Sequence, residues 1–186
     1  MEDKTMNDLK TKKIAITHSG RFHMDDVLST AFIMYFNPKI SIKRTKSYAG
    51  NPKKDEIVYD IGFREFDHHQ AGVKRDEEGH SYSAFGLLWE KYGRDYLVEN
   101  GFKKIEEAFS AFKKAYVNVI NQGDNEGYIN IKNLYENDMV LGCNVLWFEN
   151  DSEEYADQQF EKAVQIGKVI LKTWTLIIYK IHELYK

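Results

Sequence analysis

Ile14, Ala15 and Ile16 form a short apolar run inside Lys13 to Thr17, the mark of a buried strand. A loop containing Gly20 follows. Apolar residues then return at helical spacing from about Met24 to Tyr35, with Asp25 and Asp26 in the first turn, where carboxylates suit the helix dipole. Ile40 to Arg44 alternates apolar and basic residues and predicts a second strand. Glu56 to Ile61 predicts a third, and Arg64 to Asp67 a short further one. Ser81 to about Asn121 predicts helices broken near Tyr92-Gly93 and Asn100-Gly101, then a turn-rich loop from Gly123 to Gly127. Asn130 to Trp147 shows no clear period. Glu153 to Lys186 predicts one or two helices. There Val169, Ile170, Leu171, Trp174, Leu176, Ile177, Ile178, Ile181 and Leu184 cover more than one face, so burial on several sides is expected. Packing on the domain or a homodimer interface would supply it. Lys168, Lys172 and Lys180 interrupt the run and argue against a membrane span.

Strands alternating with helices predict an α/β fold with a mainly parallel sheet. Ligands bind beyond the carboxyl ends of such strands. His18 directly follows the first strand and Asp60 ends another. Asp67, His68 and His69 end a further one. Three sets of metal-ligating residue types, distant in sequence, thus meet at one sheet edge. That convergence points to metal-dependent hydrolysis of a phosphoester.

Each residue also has a plainer reading. His18 can end a strand, His23 can be a loop residue, and Asp25 can cap a helix. Asp60 can belong to a turn, and Asp124 can be a loop aspartate after a helix. His68 and His69 alternate in direction if extended, so only one faces the site easily, and the other would serve from another angle, for example on a bound anion. His80 and His182 have no ligand-spaced neighbours. Lys43-Arg44 with Lys46, Lys53-Lys54 and Lys74-Arg75 are read as solvated faces, the last also placed to steer a phosphate.

Composition narrows the class. The chain has 186 residues, 42% apolar and 30% charged, which suits one domain or one domain with an appendage. A net charge of -3 gives no overall field toward nucleic acid or membrane. The single cysteine, Cys143, excludes a disulfide within the chain and suits a reducing compartment. With no apolar signal-like start in Met1-Glu2-Asp3-Lys4, a cytoplasmic protein is expected.

Several segments together resemble the DHH phosphoesterase superfamily and, within it, the melanocyte proliferating gene family of metal-dependent, exonuclease-like proteins. They are Thr17-His18-Ser19-Gly20-x-Phe22-His23-x-Asp25-Asp26, Asp60-Ile61-Gly62, Phe66-Asp67-His68-His69-Gln70, Ser83-Ala84-Phe85-Gly86-Leu87 and Gly123-Asp124-Asn125. The resemblance implies a Rossmann-like DHH-type catalytic domain over 13–150, after a polar tail over 1–12 and before a helical segment over 151–186. It implies two divalent cations, one on His18, His23 and Asp60, the other on Asp25, Asp60, His68 and Asp124. Asp60 would bridge them, His69 would face the substrate phosphate with Arg75 nearby, and Asp67 would orient the histidine pair. Imidazole and carboxylate ligation favours manganese, with magnesium or another first-row ion as alternatives. The superfamily often carries aspartate at the position of His23, and the exchange favours a transition metal further. Members of the family usually continue with a substantial C-terminal region, so a complete catalytic half and a reduced substrate-gripping half are expected here.

The implied activity is in-line attack of hydroxide on a phosphodiester of short RNA, DNA or a small nucleotide. A phosphatase or pyrophosphatase for a small metabolite is the alternative enzyme. A metal-binding protein without turnover is the non-enzymatic one. A mononuclear zinc hydrolase would call for His-x3-His spacing on a helix, which the chain lacks.

Overall fold

The central strand, β1 (Ile14–His18), lies between β2 (Ser41–Thr45) and β3 (Glu56–Val58) in a parallel sheet of order β2-β1-β3. The computed structural model describes residues 8–70, 72–127 and 152–184. Registers run Ile14 to Ser41 and His18 to Thr45 on one side, and Ile14 to Glu56 and Ile16 to Val58 on the other. Alternation along the strands divides the faces. Ala15 and Ile57 enter the main core, while Ile16 and Val58 join Ile61 in a small cluster on the other face.

Helix α1 (Asp8–Thr11) precedes the sheet, and α2 (Met24–Phe36) is the crossover from β1 to β2. From Met24 to Ile33 every residue of α2 is buried, which explains its weakly amphipathic sequence. It packs against α3 (Ala84–Glu99) and the long terminal α6 (Glu153–Tyr179). Gly167 of α6 permits that approach, since a Cβ there would stand 3.0 Å from a Val27 methyl. Between them lie α4 (Ile105–Phe112), a π turn (Lys113–Val117) and α5 (Asn118–Glu126), and a second π turn (Lys180–Leu184) ends the described chain. Aromatic rings fill this side of the molecule. Trp89 stacks on Phe112 at 4.1 Å and on Phe109 at 5.6 Å, and Phe32 packs between Phe85 and Tyr96.

Three sequence expectations need correction. Arg64 to Asp67 is not a strand. Only Tyr59 and Phe66 form an isolated bridge, because Asp60 (φ 54°) and Phe63 (φ 55°) turn the chain through the left-handed region. Asp67, His68 and His69 therefore sit on a loop. No break occurs at Tyr92-Gly93. Helix α3 runs through, and Gly93 serves packing, since a Cβ would lie 2.8 Å from the Trp89 ring and 3.0 Å from Phe109. The segment after Gly123 is the last turn of α5, not a loop; Asn125 Nδ2 donates to the Asn121 and Ser81 carbonyls and ties that turn to the α3 side. Asn130 to Trp147, and Cys143 with it, lie outside the described residues. No helix among the described residues is long and apolar enough to cross a membrane.

Candidate metal centre

His18 is the last residue of β1 and His23 the residue before α2. The His23 amide donates to Asp26 Oδ1 at 3.0 Å, which closes the first turn and fixes Asp26 against the loop. Asp25 and Asp26 are both fully buried. The Thr30 hydroxyl donates to the Asp26 carbonyl at 2.7 Å and lies 2.6 Å from the Tyr59 hydroxyl, so the end of β3 is pinned to α2. Asp60 comes next, in left-handed conformation, a state aspartate tolerates better than bulky residues. Asp124 reaches in from the last turn of α5. That helix is latched by Asn121, whose Oδ1 accepts from the Ser83 amide (2.9 Å) and hydroxyl (3.0 Å) at the start of α3. Gly86 is obligatory beside it, because a Cβ would collide with the Asn121 side chain.

Of these, His18, His23, Asp60 and Asp124 line a cleft of about 500 Å³, together with Asp67, His68 and His69. Asp60 lies at its centre: Oδ2 is 3.1 Å from His18 Nε2, and Oδ1 is 3.0 Å from His68 Nε2. His18 Nε2 is also 2.9 Å from Asp26 Oδ2, and His68 Nε2 is 3.0 Å from Asp124 Oδ2. In each of three groups the donor atoms lie within 4.8 Å of one another: His18, Asp26 and Asp60; Asp60, His68 and His69; and His23, Asp25 and Asp124. Asp67 is buried and stands behind His69. Its Oδ1 is 2.7 Å from His69 Nδ1 and accepts the His69 amide at 3.1 Å, while Oδ2 accepts the Phe63 amide at 2.6 Å.

The electrostatics are those of a crowded acidic pocket. Burial works against charge on His18, but Asp26 and Asp60 prevail and raise its pKa to about 11. His68 is likewise desolvated, and Asp124 and Asp60 raise it to about 11. Desolvation would push Asp60 up, yet its two histidines hold it well below the usual carboxylate range. Asp25 goes the other way. Its burial, then repulsion from Asp124, Asp60 and Asp26, drive its pKa well above normal. Neither Asp25 oxygen has a hydrogen-bond partner among the described residues. A fully buried carboxylate with both oxygens unpartnered is costly for a protein alone and fits a site built for a cation.

Of the residues expected from sequence, His18, His23, Asp60, Asp67, His68, His69 and Asp124 line the cleft, and Asp25 lies just beneath. Arg75 does not line it; its guanidinium donates to the Gly79 carbonyl at 2.6 Å. Sequence reasoning overlooked three residues. Asp26 faces His18, but adjacent carboxylates in a first turn look alike in sequence. Asn121 sets α5, and its position one turn before Asp124 was the available signal. Arg44, expected on a solvated face, has a buried side chain: it donates to the His18 (3.2 Å) and Gly20 (2.7 Å) carbonyls and to Asp157 (2.7 Å), with its guanidinium 4.3 Å from the Phe160 ring centre.

The family MYG1_exonuc, described as "Uncharacterised protein family (UPF0160)", matches residues 14–181. A MYG1 protein of Dictyostelium discoideum is 28% identical over 174 residues, covering 81% of this chain and 52% of that protein. The MYG1 protein YER156C of Saccharomyces cerevisiae is 28% identical over 196 residues, covering 89% of this chain and 57% of its own. The chain thus spans about half the length of the curated relatives it matches. No solved structure matches it. Since the family match extends from β1 into the turn after α6 and takes in every residue of the cleft, the chain belongs to the MYG1 family.

Proposed function

We infer that the chain is a two-cation phosphoester hydrolase of the DHH type, a phosphodiesterase or exonuclease acting on nucleotides or short RNA or DNA. The observation that carries this reading is Asp60, which offers one carboxylate oxygen toward His18 and the other toward His68. A shared carboxylate is what two cations roughly 3.5–4 Å apart require. His18, His23, Asp25, Asp60, His68 and Asp124 would hold them, with Asp26 added by its place against His18. Imidazole with carboxylate favours manganese over magnesium. Bound there, two divalent cations would polarise phosphoryl oxygens and acidify water. His69 is more than half exposed, and its bond to Asp67 leaves Nε2 for a substrate oxygen. Asp67 raises the His69 pKa, which favours an imidazolium beside a phosphate. The family designation supports nuclease-type chemistry.

Metal-stripped protein with manganese added back, assayed on bis-p-nitrophenyl phosphate and short oligonucleotides, tests the reading. Manganese-dependent turnover that disappears in Asp60→Asn and His68→Ala is the expected result. Turnover that survives both substitutions would overturn it. A phosphatase or pyrophosphatase is the second reading, favoured by the position of Arg75, which is spent on Gly79 and leaves the cleft without its guanidinium. Phosphate release from pyrophosphate, with oligonucleotides untouched, would select that alternative.

A further inference from the structure

Phe63 is 62% exposed and lines the cleft. An exposed phenylalanine alone is ordinary surface. This one has φ 55°, a left-handed conformation that suits glycine or asparagine and is an outlier for a bulky side chain. Its amide is held at 2.6 Å by Asp67 Oδ2, while Asp67 Oδ1 holds His69 Nδ1 at 2.7 Å. One buried carboxylate therefore registers an exposed ring against the imidazole that faces the cleft. The neighbouring wall is aromatic as well. Tyr48 lines the cleft, its hydroxyl is anchored on Glu56 at 3.0 Å, and its ring packs so close to Gly62 that a Cβ there would lie 3.1 Å away.

We propose that Phe63, backed by Tyr48, is a stacking shelf that takes the nucleobase attached to the phosphate bound at His69. The proposal rests on the phosphoester-hydrolase reading and adds to it a base subsite. Bases stack on aromatic faces whatever their identity, so the shelf recognises a nucleoside phosphate without selecting its sequence. It also offers grip in a cleft whose described lining holds a single lysine and no arginine: Lys46 lines it and is paired with Glu153.

Calorimetric titration of the manganese-loaded full chain with adenosine 5′-monophosphate and, separately, inorganic phosphate tests the shelf without requiring turnover. Phe63→Gly removes the ring and relieves the left-handed backbone, so folding is preserved. Phe63→Trp keeps an aromatic face. The expected result is that Phe63→Gly lowers the affinity ratio of adenosine monophosphate to phosphate by about tenfold or more, and that Phe63→Trp restores it. An unchanged ratio in Phe63→Gly, or a wild-type ratio near one, overturns the shelf. The hydrolase reading fails separately: a ring-dependent ratio in a protein that cleaves no phosphoester keeps the shelf and discards the enzyme. Cleavage with a ring-independent ratio does the reverse.

Discussion

The first turn of α2 and its middle are equally buried, and they do opposite things. Asp25 and Asp26 are 0% exposed, as are Phe32 and Ile33 six and more residues further on. At the aromatic end each ring meets others at van der Waals distance, and burial stabilises the fold. At the acidic end Asp25 has no hydrogen-bond partner among the described residues, and burial opposes the fold. Depth alone therefore says nothing about whether a side chain supports the structure or is supported by it. Here a helix rooted in the aromatic slab holds two carboxylates where solvent cannot screen them.

The most severe way to break this comparison is Asp60→Asn, which is expected to abolish manganese-dependent hydrolysis and lower the bound cation count, read by isothermal titration, while circular dichroism stays native. The pH response of chelator-stripped protein is nearly as telling. His18 and His68 titrate near 11 in the fold against an ordinary 6.5, so the stability they lend is fully present below pH 6.5 and is lost as pH rises toward 11. Asp60, depressed below its ordinary 3.8, works oppositely and loses its contribution in acid. Urea midpoints of stripped protein should therefore peak between these limits, and added manganese should reverse the alkaline fall because it binds unprotonated imidazole. A flat profile would contradict the paired histidines. On the aromatic side, Trp89→Ala is expected to cost about 3–5 kcal/mol in denaturant unfolding, with cation stoichiometry unchanged. Gly93→Ala overpacks the same ring and should cost about 1–3 kcal/mol. Smallest is Asp25→Asn. It should raise the stability of stripped protein by roughly 0.5–2 kcal/mol and weaken cation binding, the mark of a residue kept for function. A loss of stability in that variant would place Asp25 with the structural residues.

Sequence periodicity revealed β1, α2, β2 and α6 because each follows one rule along its length. It failed where a residue answers to a distant partner. Gly93 reads as a helix breaker until Trp89 and Phe109 are seen to need its missing side chain. Gly123 to Gly127 reads as a loop because the Asn125 bond to Ser81 is invisible locally. The cleft was legible from residue types, since histidine and aspartate recur at three strand or loop ends. The roles within it were not. Asp25 and Asp26 are neighbours with the same side chain, and only helix geometry sends one toward Asp124 and the other toward His18. Arg44 was misread for the same reason, because nothing near it in sequence announces Asp157.

That arginine has a temporal consequence. Its bond to Asp157 spans 113 residues, and the same guanidinium braces the backbone on which His18 and Gly20 sit. A ribosome delivers the chain from its amino end, so β1 and its histidine emerge long before the carboxylate that locks the brace. Until α6 arrives, the arginine that holds the His18 and Gly20 carbonyls lacks the carboxylate that fixes its own position.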